Sequence, residues 1–115
     1  MSPIEIKDAL LKIIQEKKVD DLTVIDVAEQ TEIADFMIIM TGKNNNNVRM
    51  LCDFIEEKAE KLGIYATRKE GAREGRWVIL DYASVIVHIF NKDMRAYFNL
   101  EKLWKKGDNI TRIEE

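Results

Sequence analysis

Five apolar residues in succession, Phe36-Met37-Ile38-Ile39-Met40, constrain this chain more than any other feature. A continuous run of this kind, without polar alternation, reads as a strand buried on both faces. Thr41-Gly42 breaks it. A sheet covered on both sides needs helices, and the chain supplies candidates before and after the run.

Before it, Ser2-Pro3-Ile4-Glu5 predicts a helix start: Ser2 can cap, Pro3 suits the first helical position and Glu5 completes a capping box. Ile6, Leu10, Ile13 and Ile14 follow at helical spacing. Leu22 to Val27 reads as a strand. After the run, Asn44 to Asn47 can cap a second helix, because Asn side chains accept from its unpaired backbone N–H groups. Val48, Leu51, Cys52, Ile55, Ala59 and Leu62 form its apolar stripe, and Gly63 can end it. Ile64 to Arg68 predicts a strand, and Arg68 to Arg76 a charged loop carrying both signs, which reads as solvated.

Trp77 to Tyr82 and Val85 to Phe90 predict an antiparallel hairpin around Ala83. With a two-residue turn, Trp77, Ile79 and Asp81 share a face with Ser84, Ile86 and His88. Asp93 to Phe98 predicts a short helix with Met94 and Phe98 one turn apart, and Leu100 to Trp104 another helical turn. The order α-β-β-α-β-β-β-α implies an α/β fold, a mixed β-sheet of about five strands flanked by helices. The domain is expected over residues 1–107, with 108–115 as a loose C-terminal tail.

Composition narrows the function. The 115 residues favour a single domain. Hydrophobic residues at 46% and charged residues at 34% mark a folded, globular chain. The single Cys52 excludes an internal disulfide and a cysteine-rich zinc site. No apolar run reaches membrane-spanning length, and the N-terminus has neither a signal-peptide nor a transit-peptide pattern, so the expected location is cytoplasmic, with no membrane partner. Net charge is −3, whereas a protein whose affinity came from phosphate neutralisation would carry a basic excess. Little direct nucleic-acid contact is expected.

A domain of this class could host a nucleotidyltransferase-like enzyme acting on RNA or nucleotides. That chemistry needs carboxylates spaced to hold a divalent metal beside a Gly-Ser phosphate loop. No Asp-x-Asp occurs, and Thr41-Gly42-Lys43 runs into asparagines. Walker, Gly-x-Gly-x-x-Gly and His-Glu-x-x-His patterns are absent as well. No catalytic residue, metal or cofactor is expected. His88, the only histidine, would need an orienting carboxylate to be catalytic, and Asp81 across the hairpin is the candidate. The competing reading is a structural or interface histidine with one ring nitrogen satisfied. Cys52, on the apolar stripe, reads as a buried, inert thiol. Trp77 is either packed in the core or exposed as a binding anchor, since Trp is enriched at binding hot spots. Trp104 carries the same two readings.

The segments Trp77-Val78-Ile79-Leu80-Asp81-Tyr82, Val85-Ile86-Val87-His88-Ile89-Phe90 and Arg95-Ala96-Tyr97-Phe98-Asn99-Leu100-Glu101-Lys102-Leu103-Trp104 together resemble the ribosomal silencing factor, or Iojap-like, family. Ala34-Asp35-Phe36-Met37-Ile38-Ile39 with Thr41-Gly42, and the glycines at 71 and 75, extend the likeness from about Leu22 to Trp104. The resemblance implies a nucleotidyltransferase-like fold without catalytic carboxylates. It implies a partner, the large ribosomal subunit, contacted through its fourteenth protein where the small subunit docks, so that bound factor represses translation by steric occlusion. It places partner-binding roles on Trp77 and Phe98, with Asp81 and Arg95 as polar support, and is compatible with a homodimer. Two positions depart from the family pattern. Phe98 stands where Tyr is frequent, removing a hydroxyl that the neighbouring Tyr97 could supply. Asn44 to Asn47 replaces a stretch that usually carries Ser and a basic pair.

Overall fold

The computed structural model describes residues 1–114. Helix α1 spans Pro3–Gln15 and begins with the capping box: Ser2 Oγ accepts from the Glu5 amide at 3.2 Å, and the Ser2 amide donates to Glu5 Oε1 at 2.9 Å. Leu10, Ile13 and Ile14 are its buried stripe. Strand β1 (Asp20–Asp26) turns back through residues 27–35 into β2 (Phe36–Thr41), with which it pairs antiparallel. Met37 to Met40 are all buried, as a strand covered on both faces requires.

Helix α2 (Asn45–Lys61) starts where Asn44 Oδ1 accepts from the Asn47 amide at 2.8 Å, so the asparagine run does cap it. Gly63, at φ +79°, sits just beyond its end, in the left-handed backbone region that glycine adopts without strain. Val48, Leu51, Cys52, Ile55 and Ala59 face inward.

The chain then forms β3 (Arg68–Glu70), β4 (Trp77–Asp81) and β5 (Val85–Phe90), an antiparallel series. Pairing in β3 begins later than the sequence suggests. Ile64 is drawn into the helix-side core instead, and the first bond to β4 runs from the Thr67 amide to the Asp81 carbonyl at 2.7 Å. Gly71 closes β3. A Cβ there would lie 2.0 Å from the Trp77 carbonyl oxygen, so only glycine permits the chain to pass. The β4–β5 turn has the expected register, with the Tyr82 amide bonded to the Val85 carbonyl and Ala83 at φ +67°.

Strand β5 pairs parallel to β2, which joins the two halves of the sheet. Helices α3 (Lys92–Tyr97) and α4 (Leu100–Trp104) follow, capped by Asn91 and Asn99. The segment after Gly107, expected to be loose, instead contributes β6 (Ile110–Arg112), antiparallel to β1. The outer edge of β1 offers unpaired backbone groups, and Asn109 carries the chain to it. The Asn109 carbonyl accepts from the Asp26 amide, and its side-chain nitrogen donates to the Asp26 and Trp104 carbonyls. The sheet therefore has six strands, in the order β3-β4-β5-β2-β1-β6.

This mixed sheet divides the interior. On one face α1 and α2 cover a large aliphatic core that includes Leu10, Ile14, Ile38, Leu51, Ile55 and Leu80. On the other, Ile25, Val27, Met37, Ile39 and Phe90 meet Trp77, Met94, Phe98, Leu100, Trp104 and Ile110.

Candidate partner-binding face

The second face begins with alternation along β4. Val78 and Leu80 point to α2 and are buried, whereas Trp77, Ile79 and Asp81 point the other way and are half-buried. Opposite them on β5 stand Phe90, His88 and Ile86. Trp77 stacks on Phe90 with ring centres 4.9 Å apart, and Phe98 from the end of α3 lies against it, also at 4.9 Å. Tyr97 meets Phe98 edge-on at 4.8 Å and is 79% exposed, while Leu103 on α4 is 70% exposed. Trp77 packs one side inside, on Phe90, and meets the half-buried Phe98, whose neighbour Tyr97 is exposed. Trp104 is half-buried in the same cluster.

His88 is 6% exposed, and its Nδ1 accepts from the Trp77 indole N–H at 3.0 Å. The ring proton therefore belongs on Nε2, which is buried and has no partner among the described residues. Burial, and secondarily the Arg95 guanidinium, pull the His88 pKa down to about 4. One ring nitrogen is satisfied and the candidate carboxylate, Asp81, is bonded elsewhere. Asp81 pairs with Ile86 across the hairpin, and its Oδ1 accepts from the Ala83 amide at 2.8 Å, stabilising the turn. A neutral imidazole held by an indole orients Trp77; it lacks the partner that would make it a strong base.

Of the four residues assigned partner-binding roles, the fold brings Trp77 and Phe98 into contact. Asp81 shares their sheet face but lies at the other end of β4, roughly 13 Å along the strand. Arg95 turns inward. Its side chain is 9% exposed, and its guanidinium donates to Thr41 Oγ1 at 3.2 Å, Thr23 Oγ1 at 3.3 Å and Glu101 Oε2 at 3.1 Å. Sequence reasoning did not find Glu101, Thr23 or Thr41. Their link to Arg95 crosses three elements and leaves no local spacing. The exposed Leu103 was also missed, although Leu at an outward position of a five-residue helix is a readable signal.

Elsewhere, Cys52, Asp53 and Glu56 place potential ligand atoms within 4.8 Å of one another. They fit a metal poorly. Burial, then Glu56, push the Cys52 thiol up to about 12, and Glu56 already holds Lys69 at 2.9 Å.

The profile of the family described as "Ribosomal silencing factor during starvation" matches residues 1–115. The ribosomal silencing factor of Halalkalibacterium halodurans is 36% identical over 111 residues, covering 96% of this chain and 93% of that protein. A crystal structure of a Chromobacterium violaceum protein superposes with a TM-score of 0.87 at 28% identity, covering 95% of this chain and 92% of that one. A more distant relative, the mouse "Mitochondrial assembly of ribosomal large subunit protein 1", is 22% identical over 100 residues, covering 84% of this chain and 44% of that protein. With a profile match along its whole length and a relative at this identity and coverage, the chain belongs to the ribosomal silencing factor family.

Proposed function

We propose that this protein is a non-catalytic repressor of translation in the cytoplasm, which binds the large ribosomal subunit through its fourteenth protein and sterically blocks joining of the small subunit. The observation that carries the reading is the partly exposed aromatic group of Trp77, Tyr97 and Phe98, on the sheet face away from α1 and α2, in a chain of this family. Rigid aromatic side chains with an apolar body and a polar tip dominate binding energy at protein interfaces. Phe98 brings no hydroxyl to such a contact, and the exposed Tyr97 beside it supplies one. The name of the mouse relative supports the large subunit as the partner. The acidic balance of the chain supports a protein contact in place of a phosphate contact.

Sedimentation of the protein with purified large and small subunits, separately and mixed, tests the reading. Co-sedimentation with the large subunit alone, and a reduced yield of joined ribosomes, are the expected results. Binding should weaken only modestly between low and physiological salt. A fall of about a thousandfold, as for a protein making many phosphate contacts, would transfer the partnership to ribosomal RNA.

A further inference from the structure

Helices α3 and α4 have six and five residues, and no residue of either is fully buried. Helices this short do not hold together alone, so their placement depends on what fastens them to the sheet. Met94, Phe98, Leu100 and Trp104 provide apolar contact with the sheet. The polar fastening is Arg95. Its guanidinium reaches Thr41 on β2, Thr23 on β1 and Glu101 on α4, and Glu101 also receives Arg112 from β6 at 3.7 Å. Thr23 and Thr41 are buried, and their hydroxyls accept the guanidinium's donors there. A planar guanidinium can serve three oxygens in different directions, which a lysine ammonium on the same stem matches less well.

Phe98 lies midway between Arg95 and Glu101. It leaves helical geometry at φ −100°, ψ +98°, and Asn99 follows at φ −89°, ψ +80°. The joint between the two helices is therefore an extended kink with Phe98 at its apex, and the Arg95–Glu101 pair closes across it. We propose that Arg95 is a positioning residue, whose clamp on Thr23, Thr41 and Glu101 fixes this kink and so sets how Phe98 and Tyr97 are presented to the partner. The inference rests on the functional reading above, and it takes Arg95 out of the contact surface.

The test uses the full chain and purified large subunits. Arg95→Met and Glu101→Gln, each confirmed folded by its melting transition, should weaken binding about tenfold or more, the range of coupled neighbours. Hydrogen exchange should rise in residues 92–104 while the β2–β5 pair stays protected. A cycle with Phe98→Ala supplies a readout that general destabilisation would not move. Once Arg95 is Met, removing Phe98 should cost little further binding. Arg95→Lys, keeping charge but not the fork, should recover binding only in part.

Folded Arg95→Met that binds like the parent overturns the proposal, and so does strict additivity with Phe98→Ala. If Arg95→Met does not fold, Glu101→Gln, which keeps the shape but removes the charge that holds Arg95 and Arg112, decides by the same criteria. A parent protein that fails to bind is a different failure: it removes the functional reading, and the proposal falls with it.

Discussion

The two faces of the sheet are built from different materials. Under α1 and α2 the buried side chains are mostly aliphatic and the helices are long, 13 and 17 residues. Under α3 and α4 aromatic and polar contacts join the aliphatic ones, the helices are one to two turns long, and an arginine side chain only 9% exposed stands where the other face has leucine or isoleucine. One face is arranged to hold the fold and the other to hold a surface in place. Strands β1, β2, β4 and β5 serve both by alternation; on β2, Ile38 and Met40 lie on the first side and Met37 and Ile39 on the second.

That division predicts which measurement each substitution moves. Ile55→Ala, in the helix-side core, should lower unfolding free energy by about 2–5 kcal/mol, as for other large-to-small core changes. Denaturant titration should show this, and the fraction still folded should bind the large subunit as the parent does. Weakened binding by that folded fraction would mean that the faces are coupled.

The next effect is pH dependence on the aromatic face. His88 is neutral in the fold, with a pKa lowered to about 4, and titrates normally when unfolded. The unfolded chain therefore takes up its proton first. The stabilisation is complete above the unfolded pKa and is lost as pH falls from about 6.5 toward 4, amounting to up to roughly 3 kcal/mol at 1.4 kcal/mol per unit. Urea melts of the parent and of His88→Gln, compared across this interval, isolate the contribution. Parallel pH profiles would place the charge-sensitive groups elsewhere.

Trp77→Ala follows, with about 2 kcal/mol or more lost from binding to the large subunit. Because Trp77 also stacks on Phe90 and bonds His88, its melting temperature should fall too, whereas Phe98→Ala should shift binding more than melting. A Trp77→Ala variant whose folded fraction binds normally would confine Trp77 to the core. The smallest effect belongs to the N-cap of α2. Asn44→Ala should cost about 1 kcal/mol of stability through the lost cap, with no change in binding.

Local signals were legible in the sequence and long-range ones were not. The caps at Ser2 and Asn44 and a β2 buried from Met37 onward follow from residue types a few positions apart, and the structure has them where the residues put them. The hairpin register followed from its two-residue turn. Strand β6 was invisible because three residues carry no usable period, and its pairing is dictated by the free edge of β1. The aromatic pair Trp77 and Phe98 could be anticipated as sharing a surface. The partners of His88 and Arg95 could not, since an indole donor and two threonine hydroxyls were chosen by the packing of distant strands. Asp81 was the candidate carboxylate for His88 by its place across the hairpin, and the turn amide at Ala83 takes it instead.

The parallel pairing of β2 with β5 has a kinetic consequence. Phe36 meets Val85 roughly fifty residues later in the chain, so the contact that joins the halves closes a long loop before it is rewarded. The β4–β5 hairpin, whose strands are neighbours in sequence, can form early and offer β2 a template. Substitutions such as Val87→Ala in that hairpin should then slow folding. Substitutions in α3 and α4, whose contacts need the assembled sheet, should chiefly hasten unfolding.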